Sequence, residues 1–166
     1  MCMDRIAVFA GSFDPFTVGH LDIVRRASSL FDQVHVLLAV NSSKKYWLDE
    51  KVRMEIVRRA VAGIPNVKVD AFDGLTIDYM KRVGARFLVR GIRGTADVEY
   101  EQTVAWNNHV LNPECETVFL SSTPENLMVS STVVRELVKS GVSRSVEGRE
   151  KLARYVPVDA IPLIVE

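Results

Sequence analysis

The sequence predicts an α/β fold built on a doubly wound, mainly parallel sheet of five strands. Two observations predict it. Apolar, β-branched runs alternate with stretches whose apolar residues recur every three or four positions. Gly or Asn-Pro stops several of those stretches before the next apolar run begins. Strands alternating with helices imply parallel neighbours with both faces covered, and right-handed crossovers make the sheet doubly wound.

Each element follows in order. Arg5–Ala10 reads as a buried strand and Gly11–Phe16 as a turn. Thr17 caps a helix running to about Phe31, with Leu21, Val24, Ala27, Ser28 and Phe31 inward. Val34–Val40 is a second strand and Asn41–Leu48 a loop. Asp49–Ala62 is a helix with Val52, Ile56, Val57, Ala60 and Val61 on one face. Val67–Phe72 is the third strand, and Thr76–Val83 a short helix that Gly84 stops. Arg86–Arg90 is the fourth strand, followed by a Gly91-Ile92-Arg93-Gly94 turn. A helix over roughly Ala96–Leu111 ends at Asn112-Pro113. Glu116–Ser121 is the fifth strand, and Ser131–Lys139 a helix that Gly141 stops. The tail is expected to hold a short helix near Glu147–Tyr155 and an extended end, Ala160–Val165.

The chain has 166 residues, the length of one domain with one core. Its 21 basic and 21 acidic residues balance, which argues against a generalist nucleic-acid binder. An apolar content of 48% argues against disorder. No run approaches the roughly 18 apolar residues of a membrane helix, and the start Met1-Cys2-Met3-Asp4-Arg5 does not read as a signal peptide. Cys2 and Cys115 lie far apart and lack a CxxC partner, so neither a disulfide framework nor a zinc site is signalled. A cytoplasmic protein is expected.

In parallel sheets, ligands bind beyond the carboxyl ends of the strands. This chain places its unusual polar residues there. Gly11-Ser12-Phe13-Asp14-Pro15 and Thr17-Val18-Gly19-His20 follow strand 1, and Asn41, Ser42, Ser43, Lys44 and Lys45 follow strand 2. Asp73, Gly74 and Thr76 follow strand 3. Arg90 and Arg93 close strand 4. Ser121–Glu125 and then Ser130-Ser131-Thr132 follow strand 5. Hydroxyls, fixed cations and helix starts are what a phosphate site needs. His20 falls in the first turn of its helix, where a neutral imidazole can donate one N–H to a phosphoryl oxygen.

Those segments carry a resemblance. Gly11-Ser12-Phe13-Asp14-Pro15 with Thr17-x-Gly19-His20 resembles the T/H-x-G-H signature of the nucleotidyltransferase superfamily. Val129-Ser130-Ser131-Thr132-x-x-Arg135 resembles its second signature, with Thr132 and Arg135 where many members have Ser and Lys. Arg90-Gly91-Ile92-Arg93 with Asp97-Val98-Glu99-Tyr100-Glu101, and Ser43-Lys44-Lys45, are similar to the bacterial phosphopantetheine adenylyltransferases. The match covers about residues 5–139. A single nucleotidyltransferase domain over 1–166 is expected, with 140–166 left for packing or assembly.

The resemblance implies a Rossmann-like fold and adenylyl transfer from ATP to 4'-phosphopantetheine, giving dephospho-coenzyme A and pyrophosphate. It implies that His20 stabilises the transition state. Ser12, Phe13, Gly91, Ile92, Arg93, Glu101, Asn126, Leu127, Met128, Val129, Ser130, Ser131 and Thr132 would contact ATP. Ser12, Lys44, Thr76 and Arg90 would hold phosphopantetheine. Magnesium would ride on the ATP phosphates, with no protein metal site. Coenzyme A is a further expected ligand, and a homo-oligomer, a hexamer in the family, is expected. Lys44, Arg90, Arg93 and Arg135 are expected to gather with His20 at one edge of the sheet. Lys44 and Lys45 also read as a solvated loop, and Glu101 as a surface residue. His35 and His109 read as structural or exposed. Two other functions fit the signatures: a nicotinamide-mononucleotide adenylyltransferase, and a non-catalytic nucleotide-binding module.

Overall fold

A computed structural model describes residues 4–41 and 43–165. Cys2 and Ser42 lie outside the described residues. Five strands form one sheet in the order β3–β2–β1–β4–β5. They are β1 (Ile6–Gly11), β2 (Gln33–Val40), β3 (Val67–Asp73), β4 (Phe87–Ile92) and β5 (Glu116–Ser121). All four pairings are parallel. The helices are α1 (Val18–Leu30), α2 (Glu50–Val61), α3 (Thr76–Val83), α4 (Thr95–Leu111), α5 (Ser131–Lys139), α6 (Val146–Leu152) and α7 (Ile161–Val165).

Alternation along β1 splits the core between the faces. Ala7 and Phe9 join Val24, Ala27, Ile56 and Val57 on one side. Val8 and Ala10 join Ile77, Tyr79 and Met80 on the other. Covering both faces is why the middle of β1 is apolar without interruption. Gly84 ends α3 in the left-handed region at φ 70°, as its place in the sequence predicts.

Three expectations change. β4 continues through Gly91 and Ile92, because β5 runs beside it and pairs them with Leu120 and Ser121. Gly91 is therefore a strand residue rather than a turn residue. A Cβ there would come within 3.2 Å of Ile23 Cγ1, so the missing side chain lets α1 pack closely on β4. That contact explains why Ile23, absent from the predicted inward face, is buried, while Ser28 is only half-buried.

The end of the chain is helical, not extended. Val158–Ala160 forms a 3₁₀ turn and Ile161–Val165 forms α7. Ile161 and Ile164, one turn apart, face the core together with Leu152, Val156 and Ala160. The tail also reaches the site, since the first N–H of α1, from Val18, donates to the Tyr155 carbonyl at 2.9 Å.

Candidate active site

The strand order reverses between β1 and β4, the point where doubly wound sheets bind ligands. A cleft of about 390 Å³ opens there. The ends of β1 and β4, the first turn of α1 and the start of α5 line it.

His20 is built into this cleft by its own helix start. Thr17, 1% exposed, is the N-cap, and its hydroxyl accepts from the His20 N–H at 3.3 Å. The His20 ring answers. Its Nδ1 accepts the Thr17 backbone N–H at 3.0 Å, with the Thr17 hydroxyl also 3.0 Å away. A backbone N–H can only donate, so Nδ1 carries no proton and the neutral ring holds its proton on Nε2. Among the described residues no hydrogen bond is made to Nε2. Phe13 and Phe16 pack on the ring at 5.2 and 5.3 Å between centroids. Burial, then the charges of Arg93 and Arg90, lower the His20 pKa to about 4. The imidazole is thus a neutral donor at physiological pH.

Phe13 is 2% exposed, so its ring supports His20 from below. It sits at φ 47°, a region side-chain-bearing residues rarely occupy. A Cβ on Gly11 would meet the Phe13 ring at 2.7 Å, so glycine there seats the ring. At Gly19 a Cβ would make only ordinary contacts, 3.9 Å from Asn126 and Val129. The protein alone does not require glycine at that position, and its bareness leaves room in the cleft.

Two arginines flank His20. Arg90 spans both oxygens of Glu101, from Nε at 2.7 Å and Nη2 at 2.5 Å, and also donates to the Ala10 carbonyl at 3.0 Å. Three of its five N–H groups are used and two remain for a ligand. Glu101, 7% exposed, is therefore not a surface residue; its carboxylate is committed to Arg90. Arg93 is held from one turn away by Asp97, through both its backbone N–H and its Nε. Burial opposes ionisation of Asp97, yet the Arg93 hydrogen bonds and charge hold its pKa below the usual value.

The other cations form a separate cluster. Lys44, Lys45, Arg135 and Lys139 line a second depression of about 510 Å³ with Tyr46 and Trp47. Ser12 borders both cavities. The expected single gathering is therefore two: Arg90 and Arg93 beside His20, and Lys44 with Arg135 next door. The loop after β2 leans on β1's turn, which carries Lys44 to the far side of Ser12.

At α5, the Ser130 hydroxyl caps the helix by accepting from the Val133 N–H, and Ser131 Oγ donates to the Pro15 carbonyl at 2.8 Å. Arg135 donates to the Asp14 carbonyl and to Thr132 Oγ1. The second signature thus clamps the first. Gly91, Asn126 and Val129 line the cleft, whereas Ile92, Thr76, Leu127 and Met128 line neither cavity. Met128 is 83% exposed, on the loop after the 3₁₀ turn Pro124–Asn126. Cys115 is buried, and burial followed by the charge of Glu116 pushes its thiol pKa up, so it lacks nucleophilic activation.

Sequence reasoning missed three contributors. Asp97 was legible as an i,i+4 partner of Arg93. Asp14 and Arg53 were not, because their partners are backbone groups distant in sequence.

Comparisons with known proteins identify the family. The cytidylyltransferase-like family model matches residues 8–137, close to the span the motifs occupy. A curated phosphopantetheine adenylyltransferase from Lachnoclostridium phytofermentans is 39% identical over 162 residues, covering 98% of this chain and 94% of its own. One from Lacticaseibacillus casei is 46% identical over 154 residues, covering 91% and 92%. Among solved structures, a putative nicotinate-nucleotide adenylyltransferase from Vibrio parahaemolyticus superposes with a TM-score of 0.71 at 18% identity, covering 99% of this chain and 100% of its own. That likeness shows the Rossmann-like fold. By sequence match and coverage, the chain belongs to the phosphopantetheine adenylyltransferase family of cytidylyltransferase-like proteins.

Proposed function

We propose that this chain transfers the adenylyl group of ATP to 4'-phosphopantetheine, giving dephospho-coenzyme A and pyrophosphate, a step of coenzyme A biosynthesis. The observation that carries the chemistry is the neutral His20, its Nε2–H fixed by Thr17 and flanked by two arginines in the switch-point cleft. The acceptor's identity rests on family membership.

A phosphate oxygen of phosphopantetheine attacks the α-phosphorus of ATP. The new P–O bond forms as the bond to pyrophosphate breaks, and negative charge grows on the bridging and equatorial oxygens. The nucleophile is already an anion, so no general base is needed. His20 donates Nε2–H to an α-phosphoryl oxygen, and Arg90 and Arg93 supply fixed positive charge beside it. Burial first, and then the same two cations, hold His20 neutral, so its proton stays put while it stabilises charge. Ser12, between the two cavities, faces both substrates. Lys44 binds the acceptor phosphate from the second depression, and Arg90 does so from the cleft.

Magnesium, when bound with ATP, supplies charge neutralisation along the phosphates. Asp97 and Glu101 are engaged by arginines, a donor set that fits an ion held by nucleotide and water rather than by protein. Coenzyme A binding, a hexameric assembly and a cytoplasmic location belong to the same reading. No helix among the described residues is long and apolar enough to cross a membrane.

The test is pyrophosphate release from ATP with phosphopantetheine, nicotinamide mononucleotide or glycerol phosphate as acceptor. Turnover with phosphopantetheine alone is expected. Turnover with nicotinamide mononucleotide alone replaces the acceptor assignment, and ATP binding without turnover makes the chain a nucleotide-binding module.

A further inference from the structure

Two buried charges near the site do not contact substrate in the mechanism above. Asp14 is 7% exposed and Arg53 2% exposed. The structure gives no ion pair between them among the described residues; each grips backbone instead. Asp14 Oδ2 accepts from the Trp47 N–H at 2.7 Å and Oδ1 from the Leu48 N–H at 2.9 Å. Arg53 donates from Nη1 to the Ser12 carbonyl at 2.7 Å and from Nε to the Leu48 carbonyl at 3.2 Å. Its guanidinium also stacks 3.8 Å above the centre of the Tyr46 ring. The β1 turn thus holds the loop after β2 through Asp14, and α2 holds both segments through Arg53.

The clasp closes on residues 46–48, directly after Lys44 and Lys45. Arg53, not Asp14, holds the carbonyl of Ser12, the residue shared by the two cavities, so Asp14→Asn leaves that bond in place. At the other end, among the described residues, the loop is tied only locally, by Asn41 accepting from Ser43 and by the Lys44 N–H donating to the Asn41 carbonyl. A carboxylate with two acceptor oxygens suits two parallel N–H groups; an amide offers one acceptor and would set an N–H against the other donor.

We propose that Asp14 and Arg53 are positioning residues that lock the loop after β2 against the β1 turn and so place Lys44 for the acceptor phosphate. This rests on the acceptor role given to Lys44 above.

The experiment compares Asp14→Asn, Lys44→Ala and the double variant, with KM measured separately for phosphopantetheine and ATP. Asp14→Asn should raise the phosphopantetheine KM about tenfold or more, with the ATP KM within about twofold, the size of a lost charge-assisted contact. In the Lys44→Ala background the same change should add nothing, because the lever it acts on is gone. Tryptic cleavage after Lys44 and Lys45 in Asp14→Asn should accelerate at temperatures well below the variant's own melting transition. Additive effects, an equal rise in both KM values, or a silent Asp14→Asn beside an impaired Lys44→Ala would overturn the clasp alone. A wild-type phosphopantetheine KM in Lys44→Ala would overturn the role of Lys44, and with it the route by which the clasp acts. If Asp14→Asn does not fold, Arg53→Lys carries the test: it keeps the charge but cannot span both carbonyls, and a wild-type phosphopantetheine KM there would likewise overturn the proposal.

Discussion

Two histidines in this molecule are alike in everything but one edge of the ring. His20 lies at the start of α1 and His35 inside β2. Each is held below its ordinary pKa by burial first; Arg93 and Arg90 add to this at His20, and Lys68 adds to it at His35, where Asp70 opposes. Each accepts a hydrogen bond at Nδ1, His20 from the Thr17 N–H and His35 from the Tyr79 hydroxyl at 2.7 Å. The difference is Nε2. In His35 it donates to Gln33 Oε1 at 2.8 Å and the ring is saturated. In His20 it is left without a protein partner among the described residues, in a cleft flanked by Arg90 and Arg93. A donor the fold orients but does not use is available to a ligand; one the fold uses is structure.

The largest effect this comparison predicts is on catalysis. His20→Ala removes the aimed donor and should lower kcat by about 10²-fold or more, the scale of a lost oxyanion donor. KM for either substrate should change much less, since the arginines and the helix start remain. Steady-state pyrophosphate release measures both. Normal turnover would show that the open Nε2 is incidental.

The next effect falls on stability at the other histidine. Tyr79→Phe takes the hydroxyl from His35 Nδ1 and leaves a buried acceptor unpaired. The expected loss is about 1–3 kcal/mol in chemical denaturation, with kcat unchanged below the melting transition. A variant that kept full stability but turned over slowly would place His35 in the catalytic machinery and collapse the distinction.

Which histidine faces the cleft was readable in the sequence, because position relative to a strand end carries that information. His20 follows β1 by a capped turn, whereas His35 sits among Val34, Val36 and Leu37, where any polar side chain must be satisfied locally. The fold was readable because continuous apolar runs give way to apolar residues recurring every three or four positions at nearly every junction. Partnerships made through space were not. Whether Glu101 faced water or Arg90 depended on how α4 lies over β4, and α4 shows little apolar periodicity, burying only Glu101. The division of Lys44 from Arg90 depended on the loop after β2, which Asp14 and Arg53 anchor through backbone atoms that leave no trace in side-chain pattern, and Arg135 is drawn to the same side by the Asp14 carbonyl. The helical tail was misread because a five-residue apolar run is short enough to suit either strand or helix.

The smallest effect is that of pH, and here the two histidines should part again. For both, the folded pKa lies below the unfolded value of about 6.5. Above pH 6.5 both are neutral in either state and stability is complete. As pH falls below 6.5 the unfolded chain takes up protons that the folded chain refuses, so stability declines. For His20 the decline ends near its folded pKa of about 4, and its partial exposure to the cleft keeps the loss below the full pKa difference. Activity should follow a different curve. With His20 neutral down to about 4, kcat should stay level from pH 8 to about 5 and fall only below that. Protonation would put a second N–H on the Nδ1 edge, facing the Thr17 N–H, and force the ring from its place. Melting temperature and kcat measured across the same buffers separate the two curves. Arg93→Gln removes one of the charges that lower the His20 pKa and should move the fall in kcat to higher pH, while leaving the contribution of His35 to stability where it was. A His20 ring midpoint near 6.5 in an NMR titration of the free wild-type chain would mean that His20 is an ordinary solvated imidazole, and that neither its burial nor the arginines set its state.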